Sequence, residues 1–338
     1  MDDGVCTVVM RRGLRRSQRL TWLCMALLLA ATATVVRSQP APATVRMLSQ
    51  PVAADTWFVQ GLSEMGSAAN QNFISNAGFV ITPAGVLVID ALGSPPLADR
   101  LLALIREKTS LPLRYVVVTH CHADHIYGLQ SLKAAGARII AHAGCRDYLA
   151  SVTARLRLQA SREELFPWIN EHTHLVEPDQ WLGNGGRDDD LVIDLGDRRF
   201  RVRHAGPAHT REDLMVHDER TGVLFAGDIV FRGRIPFVGQ ADGRRWIEAL
   251  DRMLELNPRV LVPGHGPLSL HPADDLALTR DYLSYLRQTM GTAARNLEPF
   301  DEAYARTDWS RFSALPLFAA ANRMNAYNTY LQMEHEAP

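Results

Sequence analysis

The segment Thr119-His120-Cys121-His122-Ala123-Asp124-His125 constrains this chain more than any other stretch. It puts four metal-ligating side chains into six residues, directly after the apolar run at 115–119. A continuous apolar run of that length reads as a strand covered on both faces. The histidines then stand at the end of a sheet, where α/β enzymes place their chemistry. His120 and His122, two apart on an extended loop, share a side. Asp124 and His125 serve a second ion as the chain turns into a helix. Four such side chains cannot all meet one cation with good geometry, so the spacing itself argues for two metals.

Three further ligand types stand just past apolar runs. His209 lies in GPAHT, Asp228 in FAGD and His265 in VPGHG. Neutral imidazole with carboxylate suits zinc, and iron or manganese accepts the same donors. A lone histidine is more often a satisfied or exposed residue than a ligand. His142, His172, His174, His204, His217, His271 and His335 are assigned to that class.

The rest of the chain supplies a frame for such a site. Strands are expected at 56–60, 73–82, 85–90, 115–119, 138–141, 191–195, 200–204, 214–217, 223–226 and 260–262. Helices are expected at 96–108, 126–135 and 244–256, the first because Leu97, Leu101, Leu104 and Ile105 share a face. Strands interleaved with helices imply an α/β fold with helices packed outside a sheet. The less regular stretch at about 149–188, ending in the loop-like GNGGRDDD, reads as an insertion, a lid or a docking element. The expected organisation is a catalytic domain over 45–272 and a helical C-terminal extension over 273–338.

The first 38 residues differ in kind. Arg11, Arg12, Arg15, Arg16 and Arg19 precede an uncharged Leu- and Ala-rich run at 20–36, and then come small residues and prolines. That order is a secretory leader, with an uncleaved anchor as the alternative. The expected location is periplasmic or secreted, with membrane contact only if the leader stays. The net charge of −1 lacks the basic excess of a nucleic-acid binder. The partner expected is a small-molecule substrate, and oligomeric state is not readable. Beyond the leader only Cys121 and Cys145 remain. Two free thiols are expected, because tying down Cys121 would constrain a site built on its neighbours.

The pattern HxHxDH at 120–125, followed by His209, Asp228 and His265, resembles the metallo-β-lactamase superfamily. The segments VLVIDAL, AHTREDL and LFAGDIVF are similar to that family as well. The resemblance implies an αββα sandwich: two mixed sheets face to face with helices outside. It implies two Zn2+ per chain. His120, His122 and His209 would hold the first, Asp124, His125 and His265 the second, and Asp228 would bridge them. Asp124 would also orient the attacking water, and Asp90 would support the site from behind. A capping role for Asp90 is an equal alternative. The activity implied is hydrolysis of a small ester, thioester, lactone or lactam by a water activated between the metals.

Three subgroups share these features. The exported zinc hydrolases of quinoprotein relay systems resemble the chain in FRGRIPFVGQADGRRWIEAL. Subclass B1 β-lactamases have a similar order of elements, but they carry a cysteine where Asp228 stands and a lysine where Phe231 stands. Arg232 or Arg234 would then have to grip a substrate carboxylate. The iron-dependent persulfide dioxygenases share THCHADH but not GRIPFVG. A non-catalytic metal-binding protein is the fourth reading, and no missing ligand favours it.

Overall fold

The structure, a computed structural model, describes residues 41–183, 190–239 and 241–336. The expected leader and most of GNGGRDDD lie outside the described residues. Seven strands form sheet A in chain order: β1 (Ser49–Ala53), β2 (Thr56–Val59), β3 (Ala77–Thr82), β4 (Gly85–Ile89), β5 (Leu113–Val117), β6 (Arg138–His142) and β7 (Gln180–Leu182). The pairings from β1 to β4 are antiparallel, and those from β4 to β7 are parallel. Sheet B holds β8 (Asp190–Leu195), β9 (Arg198–His204), β10 (Leu214–Asp218), β11 (Val223–Phe231) and β12 (Val260–His265). Its order is β12-β11-β10-β9-β8, with only β11 and β12 parallel.

The sheets face each other through one apolar layer. Phe58, Val80, Leu87 and Val117 of sheet A meet Phe200, Val216, Phe225 and Val262 of sheet B. Helices cover both outer faces, so the continuous apolar runs of β4 and β11 are buried on each side. On sheet A lie α1 (Pro95–Arg106), α2 (Ala123–Ile126), α3 (Leu129–Ala134), α4 (Gly144–Ala150) and α5 (Val152–Glu164). On sheet B lie α6 (Gly243–Glu255), α7 (Pro272–Arg295), α8 (Phe300–Arg306) and α9 (Phe318–Glu336). This is the αββα sandwich with a helical C-terminal region. No described helix is long and apolar enough to cross a membrane.

Local sequence explains the helix ends that matter here. α1 begins at Pro95, whose fixed φ and missing N–H suit a first turn, and it buries Leu97, Leu101, Leu104 and Ile105. α6 begins behind Asp242, which accepts from the amides of Arg244 and Arg245.

Three sequence expectations differ from what is observed. The helix expected at 126–135 is two short helices, α2 and α3, separated at Gly128. A Cβ on Gly128 would lie 1.9 Å from the Ala91 carbonyl oxygen, so the break follows a close backbone approach. The stretch read as irregular contains β7, which extends sheet A. Three residues are too few to show an alternation. The cysteines are not free: Cys121 and Cys145 form a disulfide, with Cα atoms 5.7 Å apart. β5 and β6 are parallel neighbours, so the residues that leave their C-terminal ends emerge side by side. That proximity is well within the reach of a disulfide.

Candidate metal centre

Every expected ligand lies at one rim of the sandwich. His120 and His122 follow β5, and Asp124 and His125 sit in α2. His209 lies between β9 and β10, Asp228 within β11, and His265 closes β12. Their donor atoms form two groups: His120, His122, His209 and Asp228, then Asp124, His125 and His265. Within each group the atoms lie within 4.8 Å of one another.

In the first group His122 Nδ1 is 3.1 Å from His120 Nε2 and 2.9 Å from His209 Nε2. Asp228 Oδ2 is 3.4 Å from His209 Nε2 and 3.7 Å from His120 Nε2. The same Oδ2 is 3.2 Å from His265 Nε2 in the second group, and Oδ1 is 3.2 Å from His125 Nε2. Asp124 Oδ2 lies 3.3 Å from His265 Nε2 and 3.6 Å from His125 Nε2. Asp228 therefore touches both groups.

The outward ring nitrogens of His125 and His265 are anchored, whereas His209 Nδ1 makes no hydrogen bond among the described residues. His125 Nδ1 is 2.9 Å from Asp90 Oδ2. The Thr119 amide and hydroxyl donate to the two Asp90 oxygens at 2.7 and 2.8 Å. Asp90 thus joins the end of β5 to the His125 ring, as an outer partner of a ligating histidine does. No side-chain cap is made by Asp90, so of its two sequence readings the geometry matches support of the site. His265 Nδ1 is 2.7 Å from the Ile74 carbonyl, so Nδ1 carries the proton and Nε2 faces inward.

Charge is distributed unevenly. Burial holds His120 well below the ordinary histidine range and lowers His122; it brings His209 down to about 3, against the pull of Asp228. Burial works the same way on His125 and His265, yet Asp228 and Asp124 hold both above that range. Burial opposes ionisation of Asp124 and Asp228, but the neighbouring histidines keep both carboxyls below theirs.

These residues fit divalent cations. His125 Nε2 and Asp228 Oδ1 are buried and make no hydrogen bond among the described residues. Unpaired buried groups of this kind are costly, and metal coordination is one of the few ways to satisfy them. Nitrogens 2.9–3.1 Å apart beside a carboxylate are placed to share a cation rather than to bond each other. Backbone space is also cleared: a Cβ on Gly264 would lie 2.0 Å from Asp228 Oδ1.

Several supporting residues escaped the sequence reading. Asp213 accepts from the Thr210 amide and hydroxyl at 2.7 and 2.9 Å, which closes the turn after His209. Burial pushes the Asp213 carboxyl well up, and these bonds partly offset it. Asn76 Nδ2 donates to the carbonyls of Pro263 and Gly266 at 2.8 Å each, holding the His265 loop from sheet A. The Ser75 hydroxyl donates to the Asp124 carbonyl. AHTREDL could have pointed to Asp213; nothing local marks Ser75 or Asn76. Phe231 stacks on His265 with rings 5.1 Å apart, and Trp246 meets the His209 ring edge-on at 5.4 Å. Of the two candidate arginines, Arg232 is committed to Asp275 at 2.8 Å. Arg234 is buried and lines the cavity, with no carboxylate within 4 Å among the described residues.

An αββα sandwich with two adjoining His/Asp donor groups at one rim defines a class of metal-binding hydrolases. The chain belongs to the metallo-beta-lactamase superfamily, whose family model matches residues 71–265. It is 32% identical over 196 residues to the acyl-coenzyme A thioesterase MBLAC2 of Gallus gallus, covering 53% of this chain and 68% of that protein. It is 23% identical to a metallo-beta-lactamase type 2 of Bacillus cereus, covering 63% and 77% of the two chains. Among solved structures, the sec-alkylsulfatase Pisa1 of Pseudomonas sp. shares the fold with a TM-score of 0.65 at 17% identity, over 85% of this chain and 50% of that one.

Proposed function

We propose that this chain is an exported hydrolase that uses two zinc ions to cleave acyl thioesters. The observation that carries the reading is Asp228, which lies between two complete donor groups at the floor of one cavity. His120, His122 and His209 would hold one ion, Asp124, His125 and His265 the other, and Asp228 both. Bound there, divalent cations acidify water and polarise a carbonyl.

The chain's own residues supply the rest. Asp124 Oδ2, between His125 and His265, is placed to orient a water and accept its proton. The cavity is about 1170 Å³ and is lined in part by Met65, Ile74, Tyr148, Phe231 and Phe237, room for an acyl chain. Tyr148 lines the cavity, and burial pushes its phenol up to about 12, so it stays protonated there. His265 Nδ1 is already committed to Ile74, which leaves the Arg234 guanidinium, 3.2 Å from that nitrogen, free to pair with an anionic group.

Similarity to a protein named an acyl-coenzyme A thioesterase favours a thioester over a lactam. A hydroxyacylglutathione hydrolase of Haemophilus influenzae, 24% identical over 173 residues, points the same way. The Cys121–Cys145 bridge supports export, since such bonds persist in oxidising compartments. Purified protein lacking residues 1–38 is assayed for metal content and for turnover of an acyl-coenzyme A, a glutathione thioester, a lactone and nitrocefin. Two zincs per chain with thioester turnover, lost to a chelator and restored by zinc, is the expected result. One iron per chain with oxygen uptake on a persulfide replaces this reading with a dioxygenase. Nitrocefin turnover above that of every thioester replaces it with a β-lactamase.

A further inference from the structure

The two donor groups differ in the ties that hold them. Asp124, His125 and His265 are tied to sheet A through Ser75, Asp90, Ile74 and Asn76. The first group shares part of this support, since the Thr119 hydroxyl held by Asp90 lies 3.2 Å from His120 Nδ1, but it has a tie of its own to the corner where β6 passes into α4. Cys145, the second residue of α4, is bonded to Cys121, which stands between His120 and His122. Gly144 lies flush against the other loop of this group: a Cβ there would sit 2.9 Å from Glu212 Cβ, three residues past His209. His142, at the end of β6, stacks on His204, at the end of β9, with rings 4.0 Å apart and 18° between planes. The Gly144 amide donates to His142 Nδ1, and His204 Nε2 donates to the Arg211 carbonyl. One corner thus reaches both loops that carry the first group, one through a covalent bond and one through packing.

We propose that the β6–α4 corner, locked by the Cys121–Cys145 bridge, is a clamp that sets how tightly His120, His122 and His209 retain their metal. Cys145 is a positioning residue: it makes no bond to a ligand side chain and acts by fixing the backbone between two of them. The bridge leaves retention at Asp124, His125 and His265 to Asp90 and the 74–76 segment. The proposal rests on the two-ion reading above.

Zinc release from the loaded protein to a chromogenic chelator tests it. Cys145→Ser is compared with Cys121→Ala/Cys145→Ala, which removes the freed Cys121 thiol as a replacement ligand. Each is made in the parent, in a His265→Ala background and in a His120→Ala background. Loss of the bridge is expected to speed release at least tenfold in the His265→Ala background, where the first group is intact. In the His120→Ala background the rate is expected to change less than twofold. Equal acceleration in both backgrounds shows general loosening and overturns the clamp, as does no change in either. Hydrogen exchange at 263–266 is expected to stay the same while exchange at 119–123 rises; the reverse pattern also overturns it. A parent that loads one zinc overturns the two-ion reading separately. The clamp is then judged on that one ion, where tenfold faster release supports it and an unchanged rate overturns it.

Discussion

Sheet B carries a buried polar cluster at each end, and the two follow different rules. At the start of β9, Arg198 and Asp218 form a buried ion pair at 2.6 Å. Arg198 also donates to the Thr56 hydroxyl and the Ala54 carbonyl, and Asp218 accepts from the Thr221 hydroxyl and the Arg220 amide. Donors there meet acceptors, all from the protein. At the other end, past β9 and along β11, imidazole nitrogens face one another, and buried His125 Nε2 and Asp228 Oδ1 make no hydrogen bond among the described residues. The first cluster is complete and therefore structural. The second lacks such partners among the described residues and fits divalent cations, and that incompleteness is what marks a site.

The contrast can be broken most directly at Asp228. Asp228→Ala removes the carboxylate common to both groups. We expect the loss of at least one ion per chain and a fall in turnover of about 10³-fold or more, the several kcal/mol a metal centre provides. Metal analysis and steady-state kinetics measure it, with circular dichroism unchanged. An equivalent cut in the complete cluster should strike stability instead of activity. Arg198→Met strands Asp218 and should cost about 3–5 kcal/mol in denaturant unfolding, whereas Arg198→Met with Asp218→Leu should recover most of that loss. A single variant as stable as the parent would show that the cluster is not the self-contained unit described.

Asp90→Asn sharpens the comparison from the site's outer layer. The amide can still accept from Thr119 but cannot serve both Thr119 and His125 as a carboxylate does. Zinc affinity should fall about 10–100-fold in competition with a chelator, with little change in unfolding midpoint. The smallest effect belongs to an ion pair that is part of neither cluster. Arg199 and Asp194 meet at 2.9 Å on the exposed side of sheet B, and Arg199→Ala should leave both midpoint and kinetics unchanged.

How much of this was legible before the fold was known depends on the range of each interaction. The donors at 120–125 were legible because their spacing after a strand already separates two groups, whereas His209, Asp228 and His265, each a ligand type just past a strand, were joined to them by the family resemblance. Asp90 was visible but ambiguous, since capping and ligand support need the same residue type after a strand. Ser75 and Asn76 were invisible as site residues: each acts on a loop 49 or more positions away in the chain, and both fall in the stretch read as the strand 73–82, which the structure starts only at Ala77. β7 was missed because three residues leave no periodicity to read. The bridge was misjudged for a sounder-looking reason. Holding Cys121 does constrain the site, but in the structure that constraint sits where His120 and His122 must be aligned.

The amino-acid order alone determined an α/β fold and a 120–125 segment that serves two ions, because ligand type, spacing and apolar runs are properties of neighbouring residues; the group that His209, Asp228 or His265 joins was implied by the family resemblance. Only the tertiary structure decided that Asp228 faces both groups, that Asp90 holds His125, and that Cys121 pairs with Cys145. Each of these depends on which strands lie side by side. Sheet pairing, set by burial across the whole sandwich, brings together residues that no local pattern connects.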